Sequence, residues 1–336
     1  MATATKMSAP RLWMQALYTI PQVDLSLVDP VTRWLVLSRA SVVVMTATSA
    51  VLGGLLAARD DVFDWPLFVL TAAGLVLAHT ASNLVNDFWD YRRGADSPDS
   101  PRARYGPHPL TEKSADMRSF ALITVVILAI ATAIGIYLTV ETGPGVLIFA
   151  LSGAFGLMLY SGGPLPLKYF GLGEIAVFII WGPLMIGGTY YVMAGDLPGW
   201  VILASFPYAL GVTTVLMGKH LDKLEFDTTK RIFTLPMLLG ERGARRLTQV
   251  LSIGMYVSVV ALVIWQQMPG LLLVAGALPL LWMVLRGYNK AKPDKPPEHY
   301  PAWPLWFVGM TFIHNRRYGI LFVVGLAGQI TGEAII

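Results

Sequence analysis

Cysteine is absent from all 336 residues, which removes disulfides, thiolate zinc sites and thiol chemistry at once, without fixing a redox compartment. Charge is nearly as scarce: Asp, Glu, Lys and Arg make up 14% of the chain and hydrophobic residues 55%, where a soluble domain carries roughly a quarter charged residues. That balance excludes an ordinary soluble globular protein and identifies a lipid bilayer as the solvent. The first 37 residues contain Pro10, Pro21 and Pro30 and lack a continuous apolar core ending in a small-residue cleavage site. They read as an amphipathic lead-in on the cytoplasmic side and not as a signal peptide.

What is present in quantity is apolar length. Nine stretches, near 38–58, 66–90, 118–139, 144–161, 172–194, 199–221, 246–266, 269–286 and 317–334, are long enough to cross a hydrocarbon core of about 20 residues. Alternating them places the N-terminus and the loops 91–117, 162–171, 222–245 and 287–316 on one face. Of 25 Lys and Arg residues only Arg59 then falls on the other face, so the loop-rich face is cytoplasmic by the positive-inside rule. The net charge of +4 is thereby spread along a membrane surface, and no nucleic-acid partner is expected. The fold expected is all-α: a polytopic bundle of nine transmembrane helices over residues 38–336, multi-pass in the plasma membrane, preceded by the segment 1–37. The outer loops, such as Glu141 to Pro144 and Gly195 to Pro198, are little more than turns. Long loops on one face point to a chemical site at the cytoplasmic mouth.

The second span ends HTASNLVNDFWDYRRGAD. At 3.6 residues per turn His79, Asn83, Asn86, Asp87 and Asp90 share a wedge of roughly 120°. His79 and Asn83 lie well inside the span, where polar groups usually face a bundle interior or a water-filled cavity. Hard oxygen donors without Cys or paired His favour magnesium, which takes one or two carboxylates and completes its shell with water and substrate phosphate. Arg92 and Arg93 add phosphate-binding charge, and Gly94 can break the helix so that Asp96 folds back to the same ion.

The sixth span ends GKHLDKLEFDTTKRIFTLPMLLGE. Asp222, Glu225 and Asp227 supply carboxylates there, and Lys219, Lys223, Lys230 and Arg231 supply cations for phosphate oxygens. Two such clusters can hold two Mg²⁺ ions bridged by one diphosphate. Lys168, the one cation of its loop, is a further candidate phosphate contact. Trp303, Trp306, Arg316 and Arg317 read as interfacial anchors of the last span, and His108 as a loop residue able to help cap the site.

Asn86 to Asp96 resembles the first aspartate-rich motif of the UbiA superfamily of intramembrane prenyltransferases, in the form typical of the branch that prenylates 1,4-dihydroxy-2-naphthoate in menaquinone synthesis. The stretch YSGGPLPLKYFGLGEIAVFIIWGPLMIGGTYYV at 160–192 and the ending TLPMLLG at 234–240 resemble the same branch. The second motif departs from it. Gly218 stands where that branch has Asn, Lys219 follows, and Asp222 and Asp227 are five apart, so that a regular helix would turn them about 140° from one another.

The resemblance implies Mg²⁺-dependent transfer of a polyprenyl group from an allylic polyprenyl diphosphate to an aromatic acceptor, with 1,4-dihydroxy-2-naphthoate as the acceptor expected. Asn86, Asp87, Asp90, Asp222, Asp227 and Tyr160 would carry the chemistry; Asn86, Asp90, Asp96, Asp222, Glu225 and Asp227 would ligate metal. Arg92, Arg93, Lys168, Lys219, Lys230 and Arg231 would hold the diphosphate, and His79, Asn83 and Ser161 would line the substrate pocket. Two alternatives share the site: a terpene cyclase of the same superfamily, and a prenyltransferase for another acceptor.

Overall fold

The structure, a computed structural model, describes residues 7–21, 23–94, 106, 107, 110, 116–161, 167–298, 300 and 303–333, without the side chains at 157, 158, 160, 161, 168 and 333. Asp96 and His108 lie outside the described residues. Among the described residues the chain is helical, and an isolated bridge between Phe170 and Phe233 is the one sheet-like pairing.

Two short helices, α1 (Ala9–Tyr18) and α2 (Pro30–Leu37), come first. They are followed by α3 (Ala40–Arg59), α4 (Trp65–Arg92), α5 (Met117–Thr142) and α6 (Gly145–Ser161). Next come α7 (Gly173–Ala194), α8 (Gly199–Asp222) and the six-residue α9 (Leu224–Thr229). The chain closes with α10 (Leu235–Gln266), α11 (Pro269–Tyr288) and α12 (Phe307–Glu333). Seven of these, α3, α4, α5, α7, α8, α10 and α11, are long and apolar enough to cross a membrane. The expected fourth span coincides with α6, at 17 residues, and the expected ninth with the C-terminal part of α12.

Local chemistry explains the ends. Asp64 caps α4 by accepting from Leu67 N–H, with Pro66 in the first turn. Asp116 caps α5 by accepting from the N–H groups of Arg118 and Ser119. The Ser119 hydroxyl and these N–H bonds favour the ionised carboxylate and hold it below its usual range. Asp29 caps α2 and accepts from the Trp13 indole at 2.9 Å, tying α1 to α2. Its carboxyl is held down to about 2, chiefly by the Thr32 hydroxyl.

Two expected boundaries move. The segment 222–245, read as a loop, is largely helical, because α9 and the first turns of α10 lie along the bundle's end. The kink that turns α10 into the bundle is at Gly240, whose φ of 69° needs a residue without a Cβ. The last helix starts at Phe307 and not near 317, because Arg316 does not mark a boundary. Its guanidinium donates to the carbonyls of Tyr18 at 3.0 Å and Leu17 at 2.6 Å and stacks on the Tyr18 ring.

The core sits around α8, which packs on α10, α12 and α7 and is the most enclosed of the spans. Tyr208, Met255, Tyr318 and Phe322 are among its buried side chains. Helices α5 and α6 leave most of their apolar surface outward, as lipid-facing helices do. Inside α7 the chain widens to a π-helix over Ile180–Gly187 around Pro183. Ser49 on α3 donates to the Trp181 carbonyl there at 3.0 Å.

Candidate active site

The last turns of α4 carry the polar wedge inward. Asp87 is fully buried and forms an ion pair with Arg39. Arg39 is the N-cap of α3 and holds a left-handed backbone, φ 58°. One turn deeper, Asn83 donates its amide to the Ser38 carbonyl at 3.1 Å, so the corner between α2 and α3 is fastened to α4 at two points. Asp90 is buried and Asn86 half-buried, whereas Arg92 and Arg93 are exposed. Arg92 lies over the Phe88 ring; Arg93 lies over the Trp89 and Tyr169 rings, at 5.1 and 5.9 Å.

Tyr169, in the short 3₁₀ turn Leu167–Tyr169, joins the two halves of the site. Burial pushes its phenol up and the Asp90 charge adds to this, while Arg93 and Lys223 pull it down. Asp90 and Arg93 of the first motif and Lys223 of the second therefore share one electrostatic neighbourhood.

The second motif is divided. Helix α8 ends at Asp222, Lys223 breaks it, and α9 begins. Asp227 is buried, with the Lys223 ammonium 3.7 Å away, and Lys219 lines the cavity described below. Glu225, Lys230 and Arg231 are exposed, and Lys230 lies over the Phe226 ring. Tyr160 and Ser161 end α6 and Lys168 sits in the 3₁₀ turn, but their side chains are not described.

Asp222, expected as a metal ligand, has helix-end and lysine partners in the structure. Its two carboxylate oxygens accept from the N–H groups of Phe307 at 3.0 Å and Val308 at 2.9 Å, and Lys292 pairs with it at 3.4 Å. A carboxylate at the first turn of α12 compensates the orphan donors and the positive end of that helix. Gly218 belongs to the same junction. A Cβ there would lie 2.8 Å from the Tyr288 hydroxyl and from Val308 Cα, so an Asn at this position has no room. Asp222→Asn should therefore lower stability by about 1–3 kcal/mol, the range for disturbing a charge-assisted buried bond, and keep turnover within about tenfold. Thermal unfolding in detergent beside an activity assay checks this, and loss of activity without loss of stability would return Asp222 to the reacting site.

No group of three or more Asp, Glu or His among the described residues is placed to hold a metal ion. Asn86, Asp90 and Asp227 nevertheless present the hard oxygens that suit Mg²⁺, which takes its remaining ligands from a phosphorylated substrate. Behind them lies a mostly apolar cavity of about 1010 Å³. Arg39, Asn83, Asn86 and Lys219 stand at its polar end, and Gly74, Gly135 and Gly153 thin its deeper wall.

Residues that the sequence reading passed over also shape this end. Glu174, at the start of α7, is buried and bonded to His220 of α8 at 2.6 Å. A carboxylate inside an apolar span was the signal for it. Arg39 had been counted only among the topological charges, and Lys292 had no local signal.

Comparison with known proteins gives consistent results. A family model described as the UbiA prenyltransferase family matches residues 47–313. The 1,4-dihydroxy-2-naphthoate octaprenyltransferase of Bacillus subtilis is 26% identical over 296 residues, 86% of this chain and 90% of the relative. Its namesake in Mycobacterium leprae is 32% identical over 234 residues, 69% of this chain and 76% of the relative. The structure of a UbiA homolog from Archaeoglobus fulgidus bound to GPP and Mg²⁺ aligns with a TM-score of 0.56 at 14% identity, covering 89% of this chain and 99% of that one.

Proposed function

Because the chain belongs to the UbiA prenyltransferase family, and is a prenyltransferase, we propose that it transfers a polyprenyl group from an allylic diphosphate to 1,4-dihydroxy-2-naphthoate. The observation that carries this is the cavity: a large apolar chamber lined at its polar end by Arg39, Lys219, Asn83 and Asn86, with the buried Asp90 one helical turn beyond Asn86. A prenyl diphosphate has that polarity. Two relatives that bear the name of the naphthoate enzyme support the acceptor.

In this reading the prenyl tail occupies the apolar part of the cavity and the diphosphate sits at the mouth. Lys219, Lys223 and Arg93 offset the charge that grows on the diphosphate as the allylic C–O bond breaks. Asn86, Asp90 and Asp227 would hold Mg²⁺, with Asp96 a further candidate, and the ion when bound supplies Lewis-acid stabilisation of the leaving group. The acceptor's electron-rich ring attacks the allylic carbon and loses its carboxylate as carbon dioxide. The apolar walls keep water from the cation. The mouth faces the cytoplasm, in keeping with the distribution of Lys and Arg, in a plasma membrane.

Purified protein with Mg²⁺, geranylgeranyl diphosphate and 1,4-dihydroxy-2-naphthoate tests the reading. Prenylated naphthoquinol formed only with acceptor present is expected. Hydrocarbon or terpene alcohol formed without acceptor would replace it by a cyclase, and turnover with another phenol alone would change the acceptor.

A further inference from the structure

His79 has a bonding capacity that the prenyl-transfer reading has not used. It lies on α4 two turns below Asn86, about 10 Å along the axis at 1.5 Å per residue, and on the same face. Its ring lines the cavity. Nδ1 is held by the Thr46 hydroxyl at 2.7 Å, and the ring stands edge-on to Trp181, with centroids 5.0 Å apart and planes at 84°. These two contacts fix the imidazole in place. They leave Nε2 as the nitrogen that has no hydrogen-bond partner among the described residues.

Three threonine hydroxyls of the wall are already committed, while the buried Trp181 indole N–H beside His79 has no hydrogen-bond partner among the described residues. Thr71 donates to Leu67 O at 2.7 Å, Thr132 to Leu128 O at 2.8 Å and Thr189 to Met185 O at 2.7 Å, each within its own helix. His79 thus presents a hydrogen-bonding nitrogen in a mostly apolar chamber, where leaving it unpaired is unfavourable. A prenyl tail cannot satisfy it. An oxygenated ring can, and its reacting carbon must come within about 3–3.5 Å of the allylic carbon just below the diphosphate. That places the ring between the mouth and the imidazole.

We propose that His79 Nε2 is the hydrogen-bond contact for the acceptor's hydroxyl on the side of the ring away from the reacting carbon, with Thr46 and Trp181 holding the imidazole for it. The contact rests on the prenyl-transfer reading and assigns His79 to acceptor recognition, not to the diphosphate.

Asn and Gln separate the two ring nitrogens, since an Asn amide reaches the position of Nδ1 and a Gln amide that of Nε2. His79→Asn should keep the Thr46 bond and raise the KM for 1,4-dihydroxy-2-naphthoate about tenfold, the loss expected for one buried hydrogen bond. The KM for geranylgeranyl diphosphate should stay within about twofold. His79→Gln should keep the acceptor KM within about threefold of wild type. An unchanged acceptor KM in the Asn variant would overturn the contact, as would both KM values rising together in both variants. If the Asn variant does not fold, the wild-type protein still decides. The Kd of 1-hydroxy-2-naphthoate, which lacks the distal hydroxyl, should be about tenfold above that of the diol, and equal values would overturn the contact. Acceptor-independent product from the wild type is a different result, since it removes the prenyl-transfer reading and the contact with it.

Discussion

Asp90→Ala should reduce kcat/KM for the allylic diphosphate by on the order of 10³-fold or more, the scale seen when one preorganised stabiliser of developing charge is removed. Asp90 is buried at the end of α4 and shares its surroundings with Arg93, Tyr169 and Lys223. Removing its carboxylate takes away a proposed magnesium ligand and leaves those cations without their counter-charge. The loss should appear in kcat, because ionisation of the C–O bond gains most from the ion. A parallel unfolding measurement must show the variant folded. Activity within tenfold of wild type in a folded Asp90→Ala protein would move the ion site away from α4. Asp222→Asn is the matched control, a carboxylate of the other motif whose partners are Phe307, Val308 and Lys292.

Arg39→Met should cost about 3–5 kcal/mol of stability, because it removes the guanidinium that pairs with the fully buried Asp87. Met keeps much of the Arg stem's apolar contact, so the loss reports the guanidinium. Adding Asp87→Asn should recover at least half of that loss, since an amide in the same place carries no charge to compensate. Activity should fall with the single change, because Arg39 anchors the corner whose Ser38 carbonyl receives the Asn83 amide. The test is a double-variant cycle read by thermal unfolding in detergent and by turnover. An Arg39→Met protein as stable as wild type, or a double variant no better than the single, would show that the pair does not hold the corner.

Which parts of this site could be read from sequence follows from how far apart the partners are. The wedge on α4 is a local pattern, five residues with helical spacing, and the structure places Asn83, Asn86, Asp87 and Asp90 at one end of the bundle as that spacing implies. Asp222 could not be read the same way. It sits among acids and bases that look like a ligand cluster, yet its partners are 85 and 86 residues away at the start of α12. The five-residue interval to Asp227 was the local clue, and the break at Lys223 accounts for it by placing the two acids on different helices. Glu174 and His220 are 46 residues apart and meet only because α7 packs on α8. Apolar length likewise located the seven long apolar helices but not α9 or the start of α10, where charged residues interrupt the apolar pattern.

The grip of Arg316 on the end of α1 has a bearing on biosynthesis. Donor and acceptor are separated by 298 residues, so the amphipathic first helix, already tied to α2 through Trp13 and Asp29, leaves the ribosome long before the residue that fastens it to α12 exists. Gln15, Ala16 and Tyr18 of α1 and Val308, Gly309 and Phe312 of α12 belong to the cavity wall, so that wall lacks one side until α12 is made. Insertion of the last helix closes it. A nascent chain halted before that helix would already display the first carboxylate motif but lack one wall of the chamber, which makes synthesis of α12 the step that seals the reaction vessel.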